Sequence, residues 1–158
     1  MNAMPGARIL RVNAFGTAGF VITAIGGAVQ PGFLRTLAAV IALVLFTVGC
    51  AVFMRALLQA FQRSRTDNIG MGGLFFLLAP TAPGAVRRPF TALLALQTMV
   101  GLGTAIATFG VKPFTPLAFG VMVPVFGLGL AGLWAARYGQ FGPRVVEGPR
   151  KAPVNRTE

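Results

Sequence analysis

The chain of 158 residues has no histidine and only three acidic residues, Asp67, Glu147 and Glu158. All three acids lie outside the long apolar segments, so those segments lack the ionisable relay on which proton-coupled transporters depend. A metal site needs clustered histidine, cysteine or carboxylate ligands, and nucleophilic catalysis needs an oriented base. We therefore expect no catalytic residue, no metal and no cofactor, and we interpret Asp67 as a helix cap or an ion-pair partner.

Cysteine is almost absent as well. The one cysteine, Cys50, cannot form a disulfide within the chain, and disulfide chemistry coupled to a quinone would need a pair. Because a free cysteine behaves as a small apolar residue, we expect Cys50 to be buried.

Apolar residues, in contrast, make up 55% of the chain, charged residues only 11%, and the mean hydropathy is +0.74. Crossing the hydrocarbon core of a bilayer takes about 20 apolar residues in a helix. Segments of about that length cover residues 12–29, 36–54, 90–111 and 117–136. The short alternating segments of a membrane barrel are absent, and backbone groups in lipid must satisfy their own hydrogen bonds. The predicted fold is all-α, an integral membrane four-helix bundle.

The connections predict how the spans are arranged. Residues 30–35 and 112–116 are short, proline-containing connections, so we expect two antiparallel hairpins, linked by residues 62–89. The membrane domain would cover residues 12–136, after an N-terminal segment of residues 1–11. A tail rich in proline and arginine, residues 137–158, is predicted to be disordered.

The net charge of the chain is +11, and its basic residues are unevenly distributed between the two sides of the predicted membrane. Only Arg35 and Lys112 lie on one side of the predicted membrane, which leaves 12 of the 14 basic residues on the other. The positive-inside rule then predicts that both termini and the 62–89 link are cytoplasmic, in a multi-pass protein of the bacterial inner membrane. This placement favours anionic lipid over nucleic acid as the partner of the basic residues.

An alternative interpretation makes residues 8–29 a signal peptide. Arg8 and Arg11 would form its charged start, and the small residues 26–28 its cleavage site. Its apolar stretch exceeds the usual length of about 7–15 residues, which favours a retained span.

The link between the two hairpins contains a shorter apolar segment, residues 71–79. As a helix it would be only about 13 Å long and could not cross a bilayer. One interpretation places it in the membrane interface or as a re-entrant element, and the other as a loop packed under the helices. The arginines on either side are candidates for contact with lipid phosphates: Arg63, Arg65, Arg87 and Arg88.

Small and polar residues recur at helical spacing in the third and fourth spans, as they do where membrane helices pack. The predicted packing seam consists of Gln97, Gly101, Thr104 and Thr108 in the third span and Gly120, Pro124, Gly127, Ala131 and Ala135 in the fourth. The other two spans are expected to complete the core with Asn13, Gly16, Thr23, Gly27, Thr47 and Cys50. Trp134 and Tyr138 are expected to form an interfacial anchor.

Two functions fit these features. The first is a non-enzymatic accessory, assembly or interaction subunit that packs against a membrane-protein partner or a second copy, while its basic face binds anionic lipid. The alternative is a small oligomeric channel or transporter with a pathway along the seam. Pro124 lacks an N–H and is expected to free the carbonyl of Gly120, and interrupted helices form substrate sites in transporters.

The chain resembles small four-helix integral membrane proteins of actinobacteria that have no assigned activity. The resemblance rests on RSRT at 63–66, GLFFL at 73–77, PFTPLAFG at 113–120 and GLWAAR at 132–137. It spans residues 12–143 and implies an inner-membrane location without implying a reaction.

Overall fold

The computed structural model describes residues 5–30, 32–109 and 115–143. Its helices are α1 (Ala7–Val29), α2 (Phe33–Arg63), α3 (Met71–Phe76), α4 (Gly84–Phe109), the 3-10 helix η1 (Pro116–Met122) and α5 (Pro124–Tyr138). The described residues contain no β-strand, only an isolated bridge between Asp67 and Pro143. The prediction of an all-α chain is confirmed.

Four helical segments are long and apolar enough to cross a bilayer: α1, α2, α4, and η1 together with α5. The helices extend beyond the predicted spans, because hydropathy marks the apolar part of a helix, whereas its hydrogen bonds continue into the polar flanks. Thus α1 begins at Ala7, α2 continues to Arg63, and α4 begins at Gly84 and runs through Pro89. Residues 110–114, with the predicted end of the third span and Lys112, lie outside the described residues.

The fourth span is composite, where the sequence predicted one continuous helix. Pro124 has no N–H to donate to the carbonyl of Gly120, and that carbonyl accepts instead from the N–H of Val123, at 3.1 Å. The tighter 3-10 geometry of η1 therefore ends where α5 begins. At about 2.0 Å per residue for η1 and 1.5 Å for α5, the two together are about 36 Å long, enough to cross the hydrocarbon core.

Helix α5 lies at the centre of the bundle. Of the 18 most apolar consecutive residues in its span, 61% are buried. The corresponding share in α2, the most apolar of the four spans, is 17%. α5 makes its most extensive contact with α2. A Cβ on Gly49 would lie 2.6 Å from the backbone nitrogen of Phe126, and one on Gly129 would lie 2.7 Å from the carbonyl oxygen of Gly49. The backbones of α2 and α5 thus touch, which only glycine permits here.

A second backbone contact joins α4 to η1. A Cβ on Gly101 would clash with the carbonyl oxygen of Gly120, and a Cβ on Gly120 would lie 3.3 Å from the Cα of Gly101. Both glycines are buried. The predicted seam therefore contains a point at which two main chains meet without intervening side chains.

Helices α1 and α2 lie close together where the chain turns between them. A Cβ on Gly27 would lie 3.0 Å from the Cα of Arg35, whose Nε donates a 3.1 Å hydrogen bond to the carbonyl of Gly27. The arginine thus satisfies a carbonyl in the last turn of α1, where positive charge is favourable.

At the opposite end, contacts bring together the start of α1, the link between α2 and α4, and the end of α5; we call this the basic end. Trp134 Nε1 donates a 3.0 Å hydrogen bond to the carbonyl of Pro5, and Gly6, at φ 75°, lies against the indole ring. Trp134 is only 2% exposed, so the expectation that it is an interfacial anchor is wrong, whereas Tyr138 is exposed. The indole instead joins α5 to the start of the chain.

The predicted tail boundary at residue 137 is also wrong, because α5 continues to Tyr138 and residues 139–143 pack against the link. The N–H of Gln140 donates to the carbonyl of Thr81 at 3.0 Å, and the N–H of Asn68 donates to that of Gly142 at 2.8 Å. The rest of the tail, residues 144–158, lies outside the described residues.

The contact of Gly101 with Gly120 generates a first prediction. Gly101→Ala places a methyl group on the Gly120 carbonyl, so we expect it to lower the free energy of unfolding by about 1–3 kcal/mol. Thermal unfolding in detergent, followed by circular dichroism, measures the change. Gly103→Ala is the matched control, because a Cβ there meets nothing within 4 Å. Equal stability of the two variants would contradict the contact.

Candidate functional site

Three polar side chains meet in the middle of the bundle, and we call them the amide cluster: Asn13 and Thr17 of α1 and Gln97 of α4. All three are at most 1% exposed. Nε2 of Gln97 donates to Oδ1 of Asn13 at 3.0 Å and to Oγ1 of Thr17 at 2.6 Å. The Thr17 hydroxyl in turn donates to the carbonyl of Asn13 at 2.7 Å. Since that hydroxyl already uses its proton, it can only accept from Gln97, which fixes the orientation of the amide.

The amide cluster leaves two polar atoms without a hydrogen-bond partner among the described residues, Nδ2 of Asn13 and Oε1 of Gln97. Oε1 is directed at α5, where a Cβ on Gly127 would lie only 2.5 Å from it. Gly127 therefore gives the Gln97 side chain the room to reach α1 while touching α5. The cluster joins three helices and contains no ionisable group, so it can orient helices but cannot carry protons.

The other polar residues of the predicted seam are buried, but their hydroxyl groups bond to their own helix. Oγ1 of Thr104 donates to the carbonyl of Val100, and Oγ1 of Thr108 to that of Thr104, each at 2.8 Å. The expectation that Pro124 frees the carbonyl of Gly120 is wrong, because Val123 takes the vacated position as donor. The described part of the seam thus presents few unused polar groups.

The rest of the predicted seam and core is distributed as follows. Ala131 and Ala135 are buried, Pro124 is half-buried, and Gly16 and Thr23 of α1 are half-buried. Thr47 and Cys50 are exposed on the outer face of α2, so the expectation that they complete the core is wrong. The buried positions of α2 are alanines and a glycine, because α2 approaches α1 and α5 so closely that only small side chains fit. Three further residues, Thr17, Gly49 and Gly129, contribute to the helix contacts but were not among the predicted seam and core residues.

Among the predicted lipid-contacting arginines, Arg63 has a different role. Its Nε donates to Asp67 Oδ2 at 3.0 Å, its Nη1 to the carbonyl of Ala136 at 3.1 Å, and its Nη2 to the carbonyl of Gly139 at 3.2 Å. The guanidinium also lies over the ring of Phe141, 5.3 Å from its centre. Arg63 thus caps the C-terminal end of α5 and holds the chain beyond it. Its side chain is still 35% exposed, and its contact with lipid phosphate stays a prediction.

The other three predicted arginines differ in exposure. Arg65 and Arg88 are exposed, whereas Arg87 is half-buried in the first turns of α4. Asp67 forms an ion pair with Arg63 at 2.9 Å, in agreement with its interpretation as an ion-pair partner. It is the only acidic residue within the described ranges. Further exposed arginines at or near the basic end are Arg8, Arg11, Arg55 and Arg137.

The apolar segment of the link forms α3 and the turn after it. Leu74, Phe75 and Leu77 are buried, and the Phe75 ring stacks on Phe53 of α2 with 4.3 Å between ring centres. Gly132 of α5 lies directly beneath the same ring. The segment is therefore packed against the bundle as a short helix and turn, with Met71, Phe76 and Leu78 left exposed. Its position relative to the membrane interface stays a prediction.

The described residues contain no group of three or more histidine, cysteine or acidic side chains that could hold a metal ion. Comparison with known proteins adds no assignment, since no protein-family model, curated protein or solved structure matches the chain. The resemblance to actinobacterial four-helix proteins therefore stays a prediction. The candidate sites are the amide cluster and the basic end.

The amide cluster generates a second prediction. Gln97→Leu removes two hydrogen bonds and leaves the side chain of Asn13 without a partner among the described residues, so we expect the free energy of unfolding to fall by about 1–2 kcal/mol. Asn13→Leu combined with Gln97→Leu should recover part of this loss, because both polar partners are then absent. Chemical unfolding in micelles measures both variants against Thr98→Val, an exposed control on α4. A double variant less stable than Gln97→Leu alone would contradict the pairing.

The contacts of Arg63 generate a third prediction. Arg63→Gln removes the charged donors that hold the carbonyls of Ala136 and Gly139. We expect amide hydrogen exchange at Gln140 and Asn68 to accelerate at least about tenfold, since hydrogen bonds to charged groups contribute about 1.5–3 kcal/mol. Arg65→Gln, an exposed neighbour, is the control and should exchange like the unmodified protein. Unchanged exchange in Arg63→Gln would show that residues 139–143 are held by other contacts.

Proposed function

We propose that the chain is a non-enzymatic multi-pass membrane protein, an accessory, assembly or interaction subunit whose basic end binds anionic lipid. The observation that carries the proposal is the contrast between its surfaces. The most apolar helix, α2, is the least buried, and its outer face is an apolar strip. Such a face suits lipid and partner helices.

The proposed topology is a pair of antiparallel hairpins with both termini in the cytoplasm of a bacterial cell. The basic end supports it, because arginines gather there while Arg35, at the other end, is occupied by the carbonyl of Gly27. The first span is proposed to be retained. Asn13, Thr17 and Phe20 of α1 are buried in the bundle, so cleavage after α1 would expose their partners.

A channel or transporter along the seam has less support. At Gly101 and Gly120 the main chains of α4 and η1 are in contact, which leaves no space for a solute between them. The hydroxyl protons of Thr104 and Thr108 are bonded to backbone carbonyls of their own helix. The same residues that could line a pathway are thus used in packing.

A fourth prediction tests the proposed interaction. Cys50 is exposed on the outer face of α2, so an apolar thiol-reactive cross-linker in native membranes should join it to the neighbouring subunit. We expect one stoichiometric adduct, identified by mass spectrometry, and the same neighbour should co-purify in mild detergent. Cys50→Ser is the matched control and should abolish the adduct while preserving co-purification.

Two results would contradict the proposal. One is a stable monomer that neither forms the adduct nor retains a partner in mild detergent. The other concerns topology: a reporter fused after Glu158 should be active in the cytoplasm, and activity outside the cytoplasmic membrane would reverse the proposed orientation.

A further inference from the structure

A groove of about 280 Å³ opens between α3 and α4 beside the basic end. One wall is a single face of α4, formed by Arg87, Phe90, Thr91 and Leu94 at helical spacing. The opposite wall is the end of α3 with Leu77 and Leu78, and two small residues, Gly127 and Ala131, line the groove on the α5 side. Apart from Arg87 and Thr91, the side chains that line it are apolar.

Arg87 lies at the start of this α4 wall and has no anionic partner among the residues that the structure describes. It is half-buried, and Asp67, the only acid in the described ranges, is paired with Arg63. A partly desolvated guanidinium needs a compensating anion, and beside an apolar groove the complementary ligand is an amphiphile. We propose that the groove binds one anionic phospholipid, with its phosphate on Arg87 and one acyl chain between α3 and α4.

The order of the groups along α4 matches the order of groups in a phospholipid. Arg87 lies in the first turns of the helix, the exposed Thr91 one turn further along, and Leu94 roughly 10 Å from Arg87. The Thr91 hydroxyl makes no hydrogen bond within the part of the chain that the structure describes, so it can donate to an ester oxygen. Phosphate, ester and hydrocarbon chain thus each meet a suitable side chain.

The inference rests on the proposed function in one respect, that the start of α4 lies at the level of the lipid headgroups. It goes further in assigning one bound lipid to one site, where the basic end alone would attract a diffuse layer of anionic lipids. Arg88 provides the comparison, because it carries the same charge next to Arg87 but is exposed and lies outside the groove.

Native mass spectrometry of the full-length protein, titrated in micelles with phosphatidylglycerol or phosphatidylcholine, tests the site. We expect one tightly bound phosphatidylglycerol and at least about tenfold weaker binding of phosphatidylcholine. Arg87→Gln should weaken phosphatidylglycerol binding by a similar factor, Arg87→Lys should retain most of it, and Arg88→Gln should leave it unchanged. Excess glycerol phosphate should not displace the lipid, which separates a lipid site from a phosphate site.

A second pair of variants tests the apolar walls. Thr91→Trp should fill the groove and prevent the binding of the one tightly bound phosphatidylglycerol. Thr98→Trp, at an exposed position two turns further along α4, should leave that binding unchanged. Circular dichroism confirms that each variant is folded before its binding is compared. The Arg87 substitutions leave the apolar walls intact, so they test the site even if a tryptophan variant does not fold.

The outcomes separate the two proposals. Equal weakening by Arg87→Gln and Arg88→Gln would overturn the groove site and leave lipid binding by the basic end in place. Displacement of the lipid by glycerol phosphate would also overturn the groove site. Equal binding of both lipids, unaffected by either arginine, would overturn the groove site and the lipid-binding role of the basic end together.

Discussion

The close approach of main chains around α5 is the constraint on which the other contacts depend. Gly49 and Gly129 bring α2 against α5, and Gly101 and Gly120 bring α4 against the 3-10 helix that precedes α5. In lipid, apolar side chains gain little by leaving one hydrocarbon environment for another, so such close packing supplies much of the association energy. This explains how a helix with many small residues, α5, occupies the centre, while the larger apolar side chains of α2 face outwards.

The polar features of the bundle follow from the same geometry. Because Gly127 has no side chain, Gln97 can lie against α5 and still reach Asn13 and Thr17 on α1. A hydrogen bond between two side chains has direction, which packing of small residues lacks. The amide cluster therefore adds a directional contact between α1 and α4 to the close approach that the glycines permit.

Much of the architecture follows from the sequence, and the rest depends on contacts between distant residues. Hydropathy predicts four spans, and helical spacing correctly groups Gln97, Gly101, Thr104 and Thr108 on a buried face. Helical spacing does not predict the buried positions of α5, since a helix that is buried on several sides has no single buried face. Gly129 was overlooked for that reason. The predictions that Cys50 is buried and that Trp134 is an interfacial anchor were also wrong, because lipid accepts an apolar cysteine and the chain at Pro5 and Gly6 covers the indole.

The arginines show most clearly why a charge pattern is not a set of equivalent sites. Arg63 and Arg65 are two residues apart, yet Arg63 turns inwards to three protein acceptors while Arg65 is exposed. By pairing with Asp67, Arg63 uses the single carboxylate of the described residues and leaves the other arginines of the basic end without an internal counterion. Anions must then come from outside the described chain, and their attraction is strongest where water is partly excluded. The half-buried Arg87, at the edge of an apolar groove, meets that condition, whereas the exposed arginines around it are screened by solvent and salt.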